Sequence, residues 1–158
     1  MPSPSPRPGP AGGPAAAAVA ESWRDGRAEA SEQHAKALRR HQAAENRKAR
    51  ALIADFVEQA RARGVPPERL RARSYDRRAR YRTSTHGWYL RQNQSAAVGT
   101  DGKFYLLTVP RSVRSRFTGA HLVSSDPPLI LGKGARDGES IDLVDALRIA
   151  LGDAPRRA

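Results

Sequence analysis

The chain has 158 residues and a formal net charge of +12, and hydrophobic residues make up 39% of it. This length allows one domain, and the low apolar content confines its core to part of the chain. The absence of cysteine excludes disulfides, cysteine nucleophiles and cysteine-bound metals. Neither a run of about 18 apolar residues nor a charged-then-apolar leader is present, so we expect a cytoplasmic protein without membrane contact.

Positive charge is concentrated in the first part of the chain. Residues 1–95 hold 19 lysines and arginines against 9 acids, whereas residues 96–158 hold 9 against 7. Arginine outnumbers lysine 24 to 4, a bias that a GC-rich genome also produces. Arginine nevertheless has the planar, bidentate fork that suits phosphate. The composition therefore favours a basic N-terminal portion beside a nearly neutral globular one.

Three segments precede the globular part. Residues 1–16 are rich in proline, alanine and glycine and have little to bury, so we predict a disordered arm. Residues 17–63 contain strong helix formers and no proline, which predicts a charged helix, or two helices broken near Gly26. A glycine and two prolines then end the helix. Residues 64–86 are rich in arginine and are expected to form a connector, with a short helical turn at 66–70.

The long helix carries two different apolar patterns. Upstream, Trp23 and a series of alanines recur every seven residues, but the companion positions are too polar for a stable coiled coil. We therefore predict an exposed helix there, which can serve as an oligomerisation arm or dock on a protein partner. Near its end, five residues form an amphipathic face that should pack on the globular part: Leu52, Ile53, Phe56, Val57 and Ala60.

Residues 87–152 predict a small globular domain, followed by a tail at 153–158. An Asp-Gly turn at 99–102 joins two apolar runs, which is a strong hairpin signal. Ser140 is the expected N-cap of a last helix. The whole pattern predicts an α+β fold with a long N-terminal charged helix, a small antiparallel sheet of four or five strands and a C-terminal helix. The strands are expected at 88–91, 96–98, 104–109, 121–123 and 129–131.

The stretch at 87–147 includes the segments GWYLRQNQSAAVGTDGKFYLLTVP and LGKGARDGESIDL. It resembles small uncharacterised proteins of high-GC actinobacteria. The resemblance implies no activity, cofactor or partner, so function has to be inferred from the residues themselves.

The run from Arg61 to Arg82 is the feature that points to a partner, with nine arginines against Glu68 and Asp76. We predict that seven of these arginines contact phosphate and that two tyrosines stack on unpaired bases. The alternative is a solvated connector in an arginine-biased chain. No helix-turn-helix, RRM, KH or zinc-finger pattern is present, so binding would rest on the phosphate backbone. The predicted nucleic-acid-binding residues are Arg69, Arg71, Arg73, Arg77, Arg78, Arg80, Arg82, Tyr75 and Tyr81.

The other candidate sites have ordinary structural explanations. The loop at 132–138 holds glycines and basic residues, but not in the Walker order, and a tight connection explains it as well as an anion site does. Asp137, Glu139 and Asp142 are close in sequence, which suits a cation but is also common at the start of a helix. The histidines lack a metal-binding motif such as HExxH. We therefore predict no catalytic residue, no metal and no cofactor.

The first functional hypothesis is a non-catalytic basic protein that binds nucleic acid mainly through phosphate contacts. The second is a protein-interaction or assembly adaptor that uses the helix at 17–63 and binds no nucleic acid. An enzyme is the third. Steep salt dependence of nucleic-acid affinity is expected for the first, and a mass that depends on concentration is expected for the second.

Overall fold

The computed structural model describes residues 13–112, 115, 118–133 and 140–153. The chain divides into two compact units, Met1–Gln42 and Ala43–Ala158. The helices within the described residues include α1 (Pro14–Ala62) and α2 (Leu143–Ala150). Its strands are β1 (Glu68–Ser74), β2 (Arg80–Tyr89), β3 (Ala96–Gly99), β4 (Phe104–Leu106), β5 (Thr108–Val109), β6 (Ser124–Ser125), β7 (Ile130–Leu131) and β8 (Ile141–Asp142). The α+β class and the long N-terminal helix expected from the sequence are confirmed.

The described part of the first unit is helical from Pro14 onwards, three residues earlier than expected. Proline suits the first turn of a helix because its missing N–H has no intrahelical partner there. The helix continues through Gly26 without a break, since one glycine costs only about 1 kcal/mol against its many helix-forming neighbours. Of the arm expected at 1–16, residues 1–12 lie outside the described residues. No described helix combines the length and the apolar character needed to cross a membrane.

The main sheet of the second unit curls back on itself. Strands β1 to β4 pair antiparallel in chain order. Only Leu107 separates β4 from β5, and β5 pairs in parallel with β1. The backbone N–H of Leu107 donates to the Ser95 carbonyl, and its carbonyl accepts from the N–H of Arg73 in β1. One short segment therefore bonds both to the residue before β3 and to β1. Because β5 is parallel to β1, the sheet is mixed rather than purely antiparallel.

Two further pairings complete the second unit. Strand β6 extends the main sheet by pairing with β4. Strands β7 and β8 form a separate two-stranded sheet that leads directly into α2. Asp142 is consequently both the last residue of β8 and the N-cap of α2. The expectation that Ser140 caps this helix is wrong, because pairing with β7 holds the backbone extended for two residues longer.

The curled sheet has a hydrophobic cluster on each side. The interior cluster lies within the curl and includes Leu70, Tyr81, Tyr105 and Leu107. The helix-side cluster joins the sheet to the end of α1 and to α2, and there Phe56 and Trp88 meet edge to face with ring centroids 5.5 Å apart. The amphipathic face expected near the end of α1 is confirmed, because its residues are buried or partly buried in this cluster: Leu52, Ile53, Phe56, Val57 and Ala60.

Residues 64–86 differ most from the structure that the sequence predicts. These residues were expected to form a connector with a helical turn at 66–70, but they contain β1 and most of β2. The alternation of buried and exposed positions is present in the sequence, yet most of the buried side chains are small. Ala72, Ser74 and Thr83 give little hydrophobic signal, although each is buried. The strand expected at 121–123 is also wrong, because β6 lies at Ser124–Ser125 instead.

Candidate nucleic-acid interface

The strands β1 and β2 display arginine on one side because side chains alternate along an extended chain. In β1, Arg69 and Arg71 are exposed and Arg73 is half-buried, while the residues between them are buried. In β2, Arg80 and Arg82 are exposed on either side of buried Tyr81. The five arginines, which we call the hairpin arginine face, lie on the outside of the curl: Arg69, Arg71, Arg73, Arg80 and Arg82.

The register of the hairpin places like charges directly opposite each other. Arg71 pairs with Arg82, and Arg73 pairs with Arg80. Side chains opposite each other in an antiparallel pair have Cβ atoms about 4.5–5.5 Å apart, and like charges in such pairs destabilise the sheet. No arginine of the face forms an ion pair with any acidic residue in the part of the chain that the structure describes. Four positive charges therefore lie on the same side of the hairpin, on two cross-strand pairs separated by the Ala72–Tyr81 pair.

Two arginines of the face make neutral hydrogen bonds that fix their direction. The Nε of Arg69 donates to the Thr83 carbonyl at 2.9 Å, across the two strands. An NH2 group of Arg73 donates to Oε1 of Gln94 at 3.4 Å. A guanidinium has five N–H donors, so both side chains keep most of their donors for an external anion.

An open groove of about 760 Å³ lies beside the hairpin arginine face. The segment at 118–121 forms part of its wall and is held there because the N–H of Ala120 donates to the Arg82 carbonyl at 2.8 Å. Gly119 allows this approach with a φ of +84°, and a Cβ atom there would lie 2.9 Å from the same carbonyl. No acidic side chain of the described residues lines the groove. Its lining residues are Arg69, Arg80, Arg82, Thr83, Ser84, Thr118, Gly119, Ala120 and His121.

The turn between β1 and β2 is organised around Asp76. The Ser74 hydroxyl and the Arg78 N–H both donate to its carboxylate, and Arg111 forms an ion pair with it at 3.4 Å. These hydrogen bonds, the one from Ser74 first, hold the pKa of Asp76 below its usual value of 3.8. Arg77 lies in this turn with a φ of +58°. The carboxylate thus shapes the turn from which Arg77 and Arg78 extend.

The two tyrosines predicted to stack on bases have different environments. Tyr75 lies in the turn and is 69% exposed, so its ring is accessible. Tyr81 is only 1% exposed, belongs to the interior cluster, and accepts a hydrogen bond from the Ser112 N–H through its hydroxyl. Tyr81 therefore cannot stack on a base in this conformation, and the prediction is corrected at this position. Tyr81 lies between the exposed Arg80 and Arg82 in β2. Because side chains alternate along a strand, its side chain points to the buried side.

The remaining arginines of the run serve the fold. An NH2 group of Arg61, at the end of α1, donates to the Thr100 carbonyl at 2.8 Å. Arg63 forms an ion pair with Asp153 at 2.9 Å. The positive run seen in the sequence therefore divides into fold contacts at its start, a five-arginine face on two strands, and two arginines in the turn.

The groove wall at 118–121 and the pairing of β1 with β2 were not predicted from the sequence. The pattern Arg-Leu-Arg-Ala-Arg-Ser in β1 does carry a period of two, and it could have predicted a strand with arginine on one side. The groove wall has no comparable signal, because it depends on a contact between distant segments. The loop at 134–138 and the acids Asp137 and Glu139 lie outside the described residues. Among the described residues, no three histidine, aspartate or glutamate side chains are grouped to hold a metal ion.

No family model, curated protein or solved structure matches this chain. The resemblance of residues 87–147 to actinobacterial proteins stays a prediction.

Proposed function

We propose that this chain is a non-catalytic basic protein that binds nucleic acid mainly through phosphate contacts of the hairpin arginine face. The observation that supports this most directly is the pairing of Arg71 with Arg82 and of Arg73 with Arg80. Like charges on opposite positions of a sheet lower its stability. A polymer of phosphates offers a negative charge at each repeat and removes this repulsion when it binds.

The groove supports the same proposal. Among the residues that the structure describes, guanidinium groups, hydroxyls and a histidine line it and carboxylates do not. It therefore presents mostly hydrogen-bond donors of the kind that contact phosphate and sugar. Arginine also forms bidentate bonds with phosphate. Backbone recognition of this type carries little sequence information, so we expect similar affinity for different sequences. We also propose that the protein is cytoplasmic, as expected from its sequence.

The test is a set of binding curves for a fluorescent oligonucleotide at several salt concentrations. Replacing Arg71, Arg73, Arg80 and Arg82 together by glutamine removes four positive charges from the face. Each lost phosphate contact lowers the slope of log K against log salt by about 0.7–0.9. We expect the slope to fall by about 3 in the quadruple variant and the affinity at low salt to fall with it.

A charge-matched control separates a defined surface from net charge alone. The first unit has four exposed arginines on α1, and replacing all four by glutamine makes the same change in net charge. We expect this control to keep the slope of the unmodified protein. Equal losses in both variants would show that binding follows net charge, and the proposal would then be wrong. The control variant changes Arg24, Arg27, Arg39 and Arg40.

A second candidate is the protein-interaction or assembly adaptor, and exposed apolar side chains on the first unit favour it. Trp23 is 68% exposed, and Val19 and Leu38 are also largely exposed. Val19 and Trp23 are four residues apart and so are neighbours on one face of α1. Adjacent exposed apolar side chains can mark an interaction site, which a homo-oligomer or another protein would cover. Light scattering on the same preparations distinguishes the two functions. A mass that rises with concentration and drops in Trp23→Gln, without bound nucleic acid, would favour the adaptor.

A further inference from the structure

A second cavity lies at the turn end of the β1–β2 hairpin, which we call the hairpin-end pocket. It has a volume of about 170 Å³. A cavity of about 150 Å³ holds a benzene molecule, so this one has room for a single planar ring. Its lining residues are Arg73, Ser74, Tyr75, Arg77, Asn93, Gln94, Ser95 and Thr108.

The backbone around the hairpin-end pocket is unusual. Arg77 and Gln94 are the non-glycine residues with positive φ among those described, at +58° and +56°, and both line this pocket. Non-glycine residues seldom adopt this left-handed region, and those that do are enriched at sites that bind ligands. Two turns from distant parts of the chain therefore each place a residue with left-handed backbone at this one cavity.

The side chains of the pocket suit a nucleobase. Asn93 and Gln94 have amide groups that can both donate and accept, as the edges of bases do. Oδ1 of the Asn93 side chain accepts from the Ser95 N–H at 3.0 Å, and Oε1 of the Gln94 side chain accepts from Arg73 at 3.4 Å, so both amides are oriented. The exposed ring of Tyr75 stands at the same cavity and offers a face on which a base can stack.

The hairpin-end pocket is continuous with the hairpin arginine face. Arg73 lines the pocket, and its cross-strand partner Arg80 lines the groove. Along β1, the arginines follow one another at every second residue, about 6.6 Å apart. This interval is comparable to the separation of successive phosphates in an extended single strand. A strand whose phosphates follow the arginines would therefore bring a base to Tyr75.

We infer that the hairpin-end pocket binds one unpaired base, so that the protein prefers single-stranded nucleic acid to a duplex. This inference rests on the proposed function and names its substrate class. A duplex keeps its bases stacked and paired, and their faces cannot reach Tyr75 without unpairing. A single strand presents both its phosphates and its base faces, which matches the arginine face and the pocket together.

The test compares a labelled oligothymidylate with a duplex of equal length, using fluorescence anisotropy. Tyr75→Ala should weaken binding of the single strand by about 5- to 150-fold, the range for loss of one stacked base, and leave the duplex within about twofold. Tyr75→Phe should keep single-strand binding because it keeps the ring. Trp23→Ala is the matched control, since Trp23 is equally exposed on the first unit, and it should change neither affinity.

A cross-linking measurement locates the base directly. An oligonucleotide with one 5-bromodeoxyuridine is irradiated with the protein, and tryptic peptides are analysed by mass spectrometry. The expected site is Tyr75, in the peptide Ser74-Tyr75-Asp76-Arg77.

The outcomes separate this inference from the proposed function. If Tyr75→Ala leaves single-strand affinity unchanged or weakens both forms equally, the inference is wrong, while the four-arginine variant still decides the proposed function. If thymidine monophosphate binds as tightly as the oligonucleotide and depends on Tyr75, the pocket serves a free nucleotide and the single-strand preference is wrong. If the four-arginine variant loses no affinity for either nucleic acid, both proposals are wrong.

Discussion

The two halves of β2 have opposite properties on the same side of the strand. Tyr81 and Tyr89 both point to the interior cluster, so the residues at even positions point to the other side of the sheet. In the first half these are Arg80 and Arg82, which are exposed. In the second half, Trp88 is buried against the end of α1. The end of α1 packs on only one end of this side. The side chains are apolar where the helix covers them and arginine where they are exposed to solvent.

This comparison separates residues that maintain the fold from residues that are available to a partner. Trp88 contacts Phe56, and its indole N–H donates to the Val65 carbonyl at 3.1 Å. The arginines of the other half have cross-strand neighbours of the same charge and add nothing to the core. We therefore expect substitutions in the two halves to act on different measurements: stability in one half and affinity in the other.

The largest expected effect is on the covered half. Trp88→Ala removes a large buried ring, and such changes cost about 3–5 kcal/mol of unfolding free energy. Urea unfolding followed by circular dichroism measures this loss. The exposed Trp23 provides the control, because Trp23→Ala should change stability by less than about 0.5 kcal/mol. A loss of similar size in both variants would contradict the assignment of Trp88 to the core.

An intermediate effect of opposite sign is expected on the uncovered half. Arg82→Gln removes one like-charge pair with Arg71 and should raise the unfolding free energy by about 0.2–1 kcal/mol at low salt. The gain should shrink in 1 M salt, where the screening length is about 3 Å. Arg78→Gln, in the turn and outside the paired positions, should show no gain, because the charge of Arg78 attracts the Asp76 carboxylate. Destabilisation by Arg82→Gln at low salt would disprove the repulsion.

The smallest expected effect concerns the turn that joins the two strands. The pKa of Asp76 lies below 3.8 mainly because the Ser74 hydroxyl donates to it. A lowered pKa means that the carboxylate stabilises the fold above its ordinary pKa, and that this contribution is lost as pH falls through the lower folded value. Ser74→Ala should therefore move the pKa of Asp76 up towards 3.8. A carboxyl carbon titration by NMR measures the shift, with Ser125→Ala as a control that leaves it unchanged.

Local signals in the sequence were enough for the elements with strong periodicity or turn chemistry. The helix-forming residues of α1 predicted a helix over 17–63, either continuous or broken near Gly26, and its end face at 52–60 predicted burial. The Asp-Gly turn at 99–102 predicted the pairing of β3 with β4, which the structure confirms. These features depend on residues only a few positions apart, so the local sequence pattern is sufficient to predict them.

The candidate site could be predicted only in part. The concentration of arginine was evident, and all five residues of the hairpin arginine face were among those predicted. The burial of Tyr81 was not evident, because it depends on which side of a strand meets the interior cluster. The hairpin-end pocket was not predicted either, since Tyr75 and Gln94 are brought together only by the curl of the sheet.

The sequence by itself determined that this chain has a long charged helix, an α+β domain and a strongly basic segment before residue 86. Composition and short-range periodicity are sufficient for these properties. The tertiary structure decided that the basic segment is a pair of strands, that Arg71 faces Arg82 and Arg73 faces Arg80, and that a groove and a pocket adjoin them. Strand register is a long-range property, and small buried residues such as Ala72 and Ser74 give the sequence too little hydrophobic contrast to reveal it.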